Sequence, residues 1–409
     1  MFYVFNNGVY LVKGSYRSCI YDFNASKLYS VNSNLAEKLE LSSKGYLPIN
    51  QLDSDLKTAF NDLSKLGVLV SSESPSFHNI KEIATTDNDL EFAWIEITNQ
   101  CNLKCRHCYN DSAPQRNISM SFKDFTYVVD SIIKKGIKRV QIIGGEPFLN
   151  NALKEMLDYI NDKFEFIEIF TNGTFVTDEW INYFSKRKIR IALSVYSYLP
   201  DEHDKVTQST GSWKKTNQTI KKLKENGIMY RICNVLTNCA KLGEKNTNLY
   251  ELSDKKDVVR MSGRANFSLL SDELIKKRLI VKSNFQFPIK KDICQKYITG
   301  HNCFMSRIYI SANLKVYPCV MERRLVHCDM NEKNGITLNN EIRSFTKDNI
   351  RGCNSCEYRY ACHDCRPDSL TGDIYEKPWY CTYEPESGKW VNPDDFIKNL
   401  RKEFSPKQS

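Results

Sequence analysis

The middle of the chain alternates between two hydrophobic periods. Short β-prone runs such as RVQII, FIEIF and IRIALSV are separated by longer stretches whose apolar residues recur at helical spacing. Within residues 121–136, five residues fall on one predicted helix face: Phe122, Phe125, Val129, Ile132 and Ile133. This strand–helix alternation predicts parallel strands joined by right-handed crossovers. Residues 93–275 are too few for a complete eight-stranded barrel, which takes about 250 residues, so we expect a partial barrel of five or six strands.

Residues 1–72 show a different pattern and are expected to form a small unit of their own. The runs FYVF and VYLV flank an Asn-Gly pair, which predicts a β-hairpin, and SCIYDF and LYSVN around NASK predict a second. Two helical stretches follow, the second with four apolar residues on one stripe before Gly67: Leu56, Phe60, Leu63 and Leu66. The run VLV predicts a last short strand. Residues 73–92 are polar and unpatterned, which indicates a linker.

The last part of the chain, residues 276–409, has weak patterning and many cysteines. Nine of the 15 cysteines lie there: Cys294, Cys303, Cys319, Cys328, Cys353, Cys356, Cys362, Cys365 and Cys381. Glycine, asparagine, aspartate and proline are scattered among them. We expect such a region to be held together by what its cysteines bind.

Composition and charge narrow the cellular setting. A hydrophobic content of 41% and a charged content of 26% are ordinary for a globular protein. The first residues lack the basic start of a signal peptide, and no apolar run approaches the roughly 18 residues of a membrane span, so we expect a cytoplasmic protein without a membrane partner. The net charge of +9 lies in runs such as KKLKEN that alternate with apolar residues, typical of solvated helix faces. Neither a basic tail nor an aromatic–basic repeat indicates a nucleic-acid partner.

The cytosol keeps thiols reduced, so clustered cysteines indicate metal or redox chemistry. Cys101, Cys105 and Cys108 lie within eight residues, directly after the first predicted barrel strand. A structural zinc site usually closes with four ligands, whereas three thiolates leave one iron of a cubane cluster without a protein ligand. Parallel barrels place their chemistry at this end of the strands.

A second motif closes the next strand. The run RVQIIGGEPF ends in Gly144, Gly145, Glu146 and Pro147, and glycines allow the backbone to approach a ligand closely. The cysteine loop alone is compatible with a structural metal site, and the glycine turn alone with an ordinary turn. Their occurrence on successive strand ends favours one shared site.

Together these motifs resemble the radical S-adenosylmethionine (SAM) superfamily. The resemblance implies that Cys101, Cys105 and Cys108 bind a [4Fe–4S] cluster whose open iron is chelated by SAM. One electron, from a donor such as flavodoxin or ferredoxin, then cleaves SAM to a 5′-deoxyadenosyl radical that abstracts hydrogen from the substrate. The resemblance also implies SAM contacts at the adenine, the methionine amino group, and the ribose and carboxylate: His107; Gly144, Gly145, Glu146 and Pro147; Thr171, Asn172 and Ser194.

The C-terminal cysteines resemble the SPASM extension of peptide-modifying radical SAM enzymes, which carries two auxiliary [4Fe–4S] clusters. The resemblance assigns Cys303, Cys319 and Cys365 to the first, with Cys294 favoured as a fourth ligand over Cys328, and it assigns four cysteines to the second: Cys353, Cys356, Cys362 and Cys381. The sequence departs from the usual pattern at Leu314, where a glycine is usual, and in the short gap between Cys362 and Cys365. A pair of zinc knuckles is the alternative.

The remaining cysteines have no partner in these motifs. Cys19, Cys233 and Cys239 lie within or beside strand patterns and are expected to be buried, inert thiols.

Residues 1–72 resemble the winged-helix-like recognition unit of enzymes that modify ribosomally made peptides. There a leader peptide adds a strand to a sheet edge; a simple capping domain is the alternative. The run VYLVKGSYRSCIYDF and the tail around KPWYCTYEPESGKW resemble maturases of the grasp-with-spasm type. The implied fold is α/β: a partial (β/α)6 TIM-like barrel between this unit and a SPASM domain.

The implied function is an oxidative cross-link, thioether or carbon–carbon, in a precursor peptide with a leader. Three alternatives stay open: a protein-modifying enzyme of the sulfatase-maturase type, a peptide epimerase, and a peptide-binding partner without catalysis. Epimerisation requires a free, well-placed cysteine.

Overall fold

The computed structural model describes residues 1–85, 89–245, 249–254 and 256–404. The strands are β1 Phe2–Phe5, β2 Val9–Lys13, β3 Arg17–Asp22, β4 Lys27–Asn32, β5 Leu69–Ser72, β6 Phe92–Glu96, β7 Arg139–Ile143, β8 Phe166–Thr171, β9 Ile189–Ser194, β10 Tyr230–Cys233, β11 Val235–Leu236, β12 Asp257–Val258, β13 Arg307–Ile310, β14 Lys315–Tyr317, β15 Cys328–Asp329, β16 Tyr383–Glu384 and β17 Lys389–Trp390.

The α-helices alternate with these strands in the middle of the chain. They are α1 Ser33–Ser43, α2 Ser54–Lys65, α3 Phe122–Lys134, α4 Leu153–Ile160, α5 Asp178–Phe184, α6 Pro200–Thr207, α7 Ser212–Glu225, α8 Asp272–Arg278, α9 Lys291–Thr299, α10 Asn302–Ser306, α11 Asn340–Arg343 and α12 Pro393–Phe404. None of the described helices is long and apolar enough to cross a membrane.

The N-terminal unit contains two small antiparallel sheets. Strands β2, β3 and β4 form one, which confirms the second predicted hairpin. The first predicted hairpin is wrong: β1 pairs with β5, from Phe2 opposite Ser72 to Phe5 opposite Leu69, and not with β2. This pairing places Phe5 and Leu69 in one hydrophobic cluster with Phe60 of α2, which burial rewards more than a local turn does.

Helix α2 forms where its apolar stripe predicts it. The Asp53 carboxylate accepts a hydrogen bond from the Leu56 backbone N–H at 2.8 Å and caps the first turn. Phe60 and Leu63 are buried as expected, but Leu66 is 55% exposed because the helix ends at Lys65.

The central sheet is parallel over the predicted barrel region. Its order is β10-β9-β8-β7-β6-β13-β14-β15, with parallel pairing from β10 to β6 and between β6 and β13. The predicted parallel α/β architecture is therefore confirmed. Strands β13, β14 and β15 continue the sheet as an antiparallel meander from the C-terminal region. Strands β11 and β12 form a separate parallel ladder.

Helix α3 packs on this sheet with a slightly rotated face. Phe125, Val129 and Ile132 are fully buried as predicted, whereas Phe122 and Ile133 are 36% and 40% exposed. Val128 is buried instead, because it completes the stripe that Phe125 and Ile132 define at helical spacing.

The two faces of the sheet differ in polarity. Isoleucines such as Ile142, Ile169 and Ile191 join the core formed with the surrounding helices. On the other face, Glu168 is almost fully buried and accepts hydrogen bonds from Arg231 Nε and Nη2 at 2.8 and 2.7 Å, and Gln141 donates to the same carboxylate. This paired charge therefore lies on the face of the sheet opposite the isoleucine core.

The predicted linker, residues 73–92, contains a short 3₁₀ helix at Ile80–Ile83, capped by Asn79. Ile80 is buried in a cluster that joins the N-terminal sheet to the C-terminal region. Residues 86–88 lie outside the described residues.

Candidate active site

The three clustered cysteines line one cavity at the carboxyl ends of the parallel strands. The cavity has a volume of about 220 Å³. Most of the predicted cofactor contacts also line it, namely His107, Gly144, Gly145, Thr171, Asn172 and Ser194. The parallel register brings these residues together because every strand from β6 to β9 ends at the same edge.

The two glycines of the second motif pack against the cysteine loop. Gly145 N–H donates to Thr98 O at 2.8 Å, and Glu146 N–H donates to Gln100 O at 2.8 Å. A Cβ atom on Gly145 would lie 2.1 Å from Gln100 O, and one on Gly144 would lie 2.6 Å from Thr98 O. Any larger residue would therefore displace the start of the cysteine loop, a second reason for glycine at these positions.

Glu146 and Pro147 are not among the residues that line the cavity. Glu146 is fully buried, and its carboxylate accepts hydrogen bonds from Thr171 Oγ1 at 2.7 Å and from Asn172 N–H at 2.9 Å. Burial raises the pKa of Glu146 to about 7, although these hydrogen bonds oppose the shift. Glu146 thus positions the turn after β8, while Thr171 and Asn172 face the cavity.

His107 lies in the wall of the cavity beside Tyr196. Their ring centroids are 4.8 Å apart with the rings nearly perpendicular. Burial, and then the charge of Arg264, lowers the pKa of His107 to about 4, so the imidazole is neutral at pH 7. Its Nδ1 has no hydrogen-bond partner among the described residues, and the ring is available to a flat ligand.

Two thiols of the loop, those of Cys101 and Cys105, are held in their protonated form when no metal is bound. Burial raises the pKa of Cys101 to about 12, and the pKa of Cys105 is raised further, chiefly by burial. A metal must displace these protons, and a cluster with several irons supplies the charge to do so.

Arg264 is a structural residue of this loop that no sequence motif indicates. Its guanidinium donates to Cys105 O at 2.8 Å and to Ser112 O at 2.9 Å, and it pairs with Asp111 at 2.9 Å. Arg264 comes from the segment after β12. It lies about 160 residues along the chain from Cys105, whose carbonyl it binds. Only the fold brings the two together.

Two other residues line the cavity although no sequence motif predicts them there. Cys233, expected to be an inert core thiol, lines the cavity and accepts a hydrogen bond from Arg231 Nη1 at 2.8 Å. Arg260 lines the same cavity and pairs with Asp257.

The C-terminal cysteines fall into separate groups. Cys353, Cys356, Cys362 and Cys381 line a second, smaller cavity. Cys303 and Cys319 pack against the same hydrophobic cluster, and the charges of Cys303 and Cys365 add to the rise in the pKa of Cys319 that burial chiefly causes.

Of the two remaining C-terminal thiols, Cys294 shares a hydrophobic cluster with Cys356 and Cys381 of the second group. Cys294 lies in the hydrophobic cluster that contains Cys19 and Tyr21, and is not grouped with Cys303 and Cys319. Cys328 lies on β15, where its Sγ accepts a hydrogen bond from Thr337 N–H at 3.3 Å.

In the described ranges, no three His, Cys, Asp or Glu side chains are close enough to share a single metal ion. A cubane cluster does not require this, since each of its irons takes a different thiolate.

Comparison with known proteins gives three kinds of match. Residues 95–239 match the radical SAM superfamily. The antilisterial bacteriocin subtilosin biosynthesis protein AlbA of Bacillus subtilis is 33% identical over 51% of this chain and 45% of its own. The sporulation killing factor maturation protein SkfB of B. subtilis is 27% identical over 33% of this chain and 33% of its own.

A solved structure shares the fold over more of the chain. SuiB of Streptococcus suis, bound to S-adenosylmethionine, superposes with a TM-score of 0.52 at 15% identity and covers 89% of this chain and 96% of its own. The alignments with AlbA and SkfB span less than half the length of either protein. The superfamily uses a [4Fe–4S] cluster and SAM, and the cavity residues fit both. Residues 95–239 form a radical SAM domain.

Proposed function

We propose that this chain is a radical SAM enzyme that modifies a ribosomally made precursor peptide. The observation that carries the proposal is the convergence of Cys101, Cys105 and Cys108 on one cavity with Gly144 and Gly145 at the carboxyl ends of the strands. Three thiolates hold a [4Fe–4S] cluster and leave one iron for SAM. When bound, this pair supplies a 5′-deoxyadenosyl radical.

The residues around the cavity divide the work of holding SAM. Gly144 and Gly145 line the cavity and allow the turn after β7 to pack closely against the cysteine loop, and Asn172 and Ser194 offer polar groups on the neighbouring strand ends. Asn172 Nδ2 also donates to Asn102 Oδ1 at 2.9 Å, which ties the turn after β8 to the cysteine loop. His107 and Tyr196 offer aromatic surface for an adenine.

The relatives support a peptide as the substrate. AlbA is named for the biosynthesis of subtilosin and SkfB for the maturation of the sporulation killing factor. The N-terminal unit offers a place for such a peptide at strand β4, one edge of its three-stranded sheet.

Strand β4 is the more open edge of that sheet. Lys27, Ser30 and Asn32 are exposed, whereas Val9–Val12 of β2, at the opposite edge, is buried. In the part of the chain that the structure describes, β4 makes no backbone–backbone hydrogen bond except to β3; Arg17 Nη2 covers the Ser30 carbonyl at 3.2 Å. We infer that the leader binds there as an added strand.

An oxidative cross-link is the modification that these groups support best. Two further cysteine groups suit two auxiliary clusters, which suit a net two-electron oxidation of the peptide. We place a thioether slightly ahead of a carbon–carbon link, because an auxiliary cluster with an open iron can hold a substrate thiolate. The position of Cys294 away from Cys303 and Cys319 favours such an open iron.

Epimerisation is a second candidate because Cys233 faces the cavity. Its S–H would give a hydrogen atom to a peptide carbon radical and become a thiyl radical. The one-electron donor and a proton would then restore the thiol. Burial raises the pKa of Cys233 to about 11, which keeps it protonated at pH 7.

The test combines a cysteine variant with mass spectrometry. Replacing Cys101, Cys105 and Cys108 by alanine should remove one cluster, abolish 5′-deoxyadenosine formation and leave the other clusters in place. Undiminished SAM cleavage in that variant would sink the proposal. Co-expressed precursor peptide should lose two hydrogens for each cross-link, with loss of a free thiol for a thioether.

The same spectra separate the alternatives. An unchanged mass with altered stereochemistry, abolished by Cys233→Ala, would establish epimerisation instead. Retained free thiols after the loss of two hydrogens would exclude the thioether in favour of a carbon–carbon link.

A further inference from the structure

Three charged side chains are buried together between the two C-terminal cysteine groups. Lys347, Asp364 and Arg366 are each no more than 5% exposed. Lys347 Nζ lies 2.7 Å from Asp364 Oδ1, and Arg366 pairs with the other carboxylate oxygen. Two cations and one anion leave this triad with a net positive charge. Such a charge costs several kcal/mol to bury unless a negative group lies nearby.

The two cations of the triad differ in their hydrogen bonds. Arg366 Nη1 donates to Ile374 O at 3.0 Å and to Glu376 O at 2.8 Å. Lys347 Nζ has no hydrogen-bond acceptor among the described residues in addition to its ion pair.

The Lys347 side chain also lies beside one of the two cysteine groups. Lys347 lines the cavity formed by Cys353, Cys356, Cys362 and Cys381. Arg359 and Lys377 line it as well, but each has its own partner. Arg359 Nε donates to Asp348 Oδ1 at 2.9 Å, and Lys377 Nζ donates to Tyr383 O at 2.7 Å. Among these three lining cations, Lys347 is the one whose terminal nitrogen has no hydrogen-bond acceptor among the described residues besides its ion pair with Asp364.

The short spacing between Cys362 and Cys365 places the carboxylate of the triad. The gap consists of His363 and Asp364, so Asp364 lies between a cysteine of one group and a cysteine of the other. Asp364 O also lies 3.3 Å from His301 Nε2. This departure from the usual spacing therefore carries a buried charge into the region between the two groups.

We propose that the Lys347–Asp364–Arg366 triad is the counter-charge of an anionic iron–sulfur cluster bound by Cys353, Cys356, Cys362 and Cys381, and that it raises the reduction potential of that cluster. The inference rests on the proposed cofactor set. Reduction adds one electron, taking [4Fe–4S]²⁺ to [4Fe–4S]⁺, and breaks no bond. A fixed ammonium stabilises the extra negative charge at low dielectric. The cluster is therefore a better electron acceptor with the triad than it would be without it.

Two variants of the holoenzyme should shift one cluster in opposite directions. A titration with dithionite, followed by electron paramagnetic resonance, gives the midpoint potential of each cluster. Lys347→Met removes the positive charge and should lower the midpoint of one cluster. Asp364→Asn leaves both cations and should raise it. Lys81→Met is the matched control, since Lys81 pairs with Asp348 at 2.7 Å but is largely exposed. This variant should leave the midpoint potential of every cluster unchanged.

Opposite shifts support the proposal because general damage does not change sign between two neighbouring residues. No shift, or shifts of the same sign, would overturn it. Loss of that cluster from both variants would assign the triad to folding alone and would also overturn it. If Cys353→Ala and Cys356→Ala leave the iron content unchanged, no cluster is present for the triad to serve. The proposed SAM chemistry is judged separately, by 5′-deoxyadenosine formation in the unmodified protein.

Discussion

Glu146 links two strand ends although it does not line the active cavity. Its carboxylate accepts from Thr171 Oγ1 and Asn172 N–H, and its own N–H donates to Gln100 O at the start of the cysteine loop. The residue therefore joins the loop after β6 to the turn after β8. A contact to the amino group of SAM is expected of this residue, and its hydrogen bonds give it a supporting position as well.

The raised pKa of Glu146 makes this contribution dependent on pH. Its pKa is about 7 in the folded protein against 4.5 ordinarily. Between these values the folded state holds a proton that the unfolded state has lost, so the residue lowers stability as pH rises. We expect the difference in unfolding free energy between wild type and Glu146→Gln to fall by roughly 3 kcal/mol from pH 4.5 to pH 7. Urea denaturation at several pH values measures it.

Glu165→Gln serves as the control for this pH dependence. Glu165 is a largely exposed carboxylate paired with Lys138, and such surface pairs contribute at most about 1 kcal/mol, so its replacement should give a much smaller change between pH 4.5 and pH 7. A change for Glu146→Gln no larger than that of the control would contradict the assignment.

Short motifs predicted the residues that converge, but not those that hold them. Three cysteines follow one strand and two glycines follow the next, at ends of parallel strands that must meet. Cys233 and Arg260 reach the same cavity from later segments, and Arg264 holds the cysteine loop, although no local pattern indicates these roles. These residues reach the site only through contacts between segments that are distant in sequence. The spacing of apolar residues within one segment does not predict such contacts.

Elements were predicted best where burial has one clear period. The run RVQII coincides with β7, and α3 lies within the stretch 121–136 that predicts it. The first hairpin failed because an Asn-Gly turn fixes only local geometry, and β1 gains more by closing on β5. At Leu314, packing also outweighs a local backbone preference. The residue adopts φ +66° where a glycine is usual, and its buried side chain in the central core compensates for that strain.

Adjacent proline substitutions on β4 test the inferred leader-binding edge. Backbone N–H groups of an edge strand alternate between the β3 ladder and the open side. Of Tyr29→Pro and Ser30→Pro, one should disturb the ladder and lower the thermal midpoint. The other should retain the midpoint and weaken binding of a labelled precursor at least tenfold, measured by fluorescence anisotropy. Full binding by the variant that keeps its midpoint would exclude β4 as the leader site.

On the scale of the whole molecule, the N-terminal unit is joined to the second cysteine group. Tyr21 OH donates to Glu357 O at 3.0 Å, and Ser15 N–H donates to Ser355 O at 2.8 Å. Cys19 and Tyr21 share a buried cluster with Tyr358 and Tyr360, from the segment that carries Cys356 and Cys362. A unit that recognises a leader would thus lie directly on a predicted auxiliary site.

Deleting residues 1–72 should therefore change more than substrate binding. The deletion exposes the face of Tyr358 and Tyr360 that Tyr21 covers, so the segment with Cys353, Cys356 and Cys362 loses support. We expect the variant to lose one cluster's share of iron and to modify no peptide, while substrate-independent SAM cleavage at the distant cavity continues.

Tyr21→Phe is the matched control. It removes a single hydrogen bond, at a cost of about 1 kcal/mol, and should keep its iron. Full iron content after the deletion would show that the unit is an independent appendage, and equal loss of both activities would support a capping role.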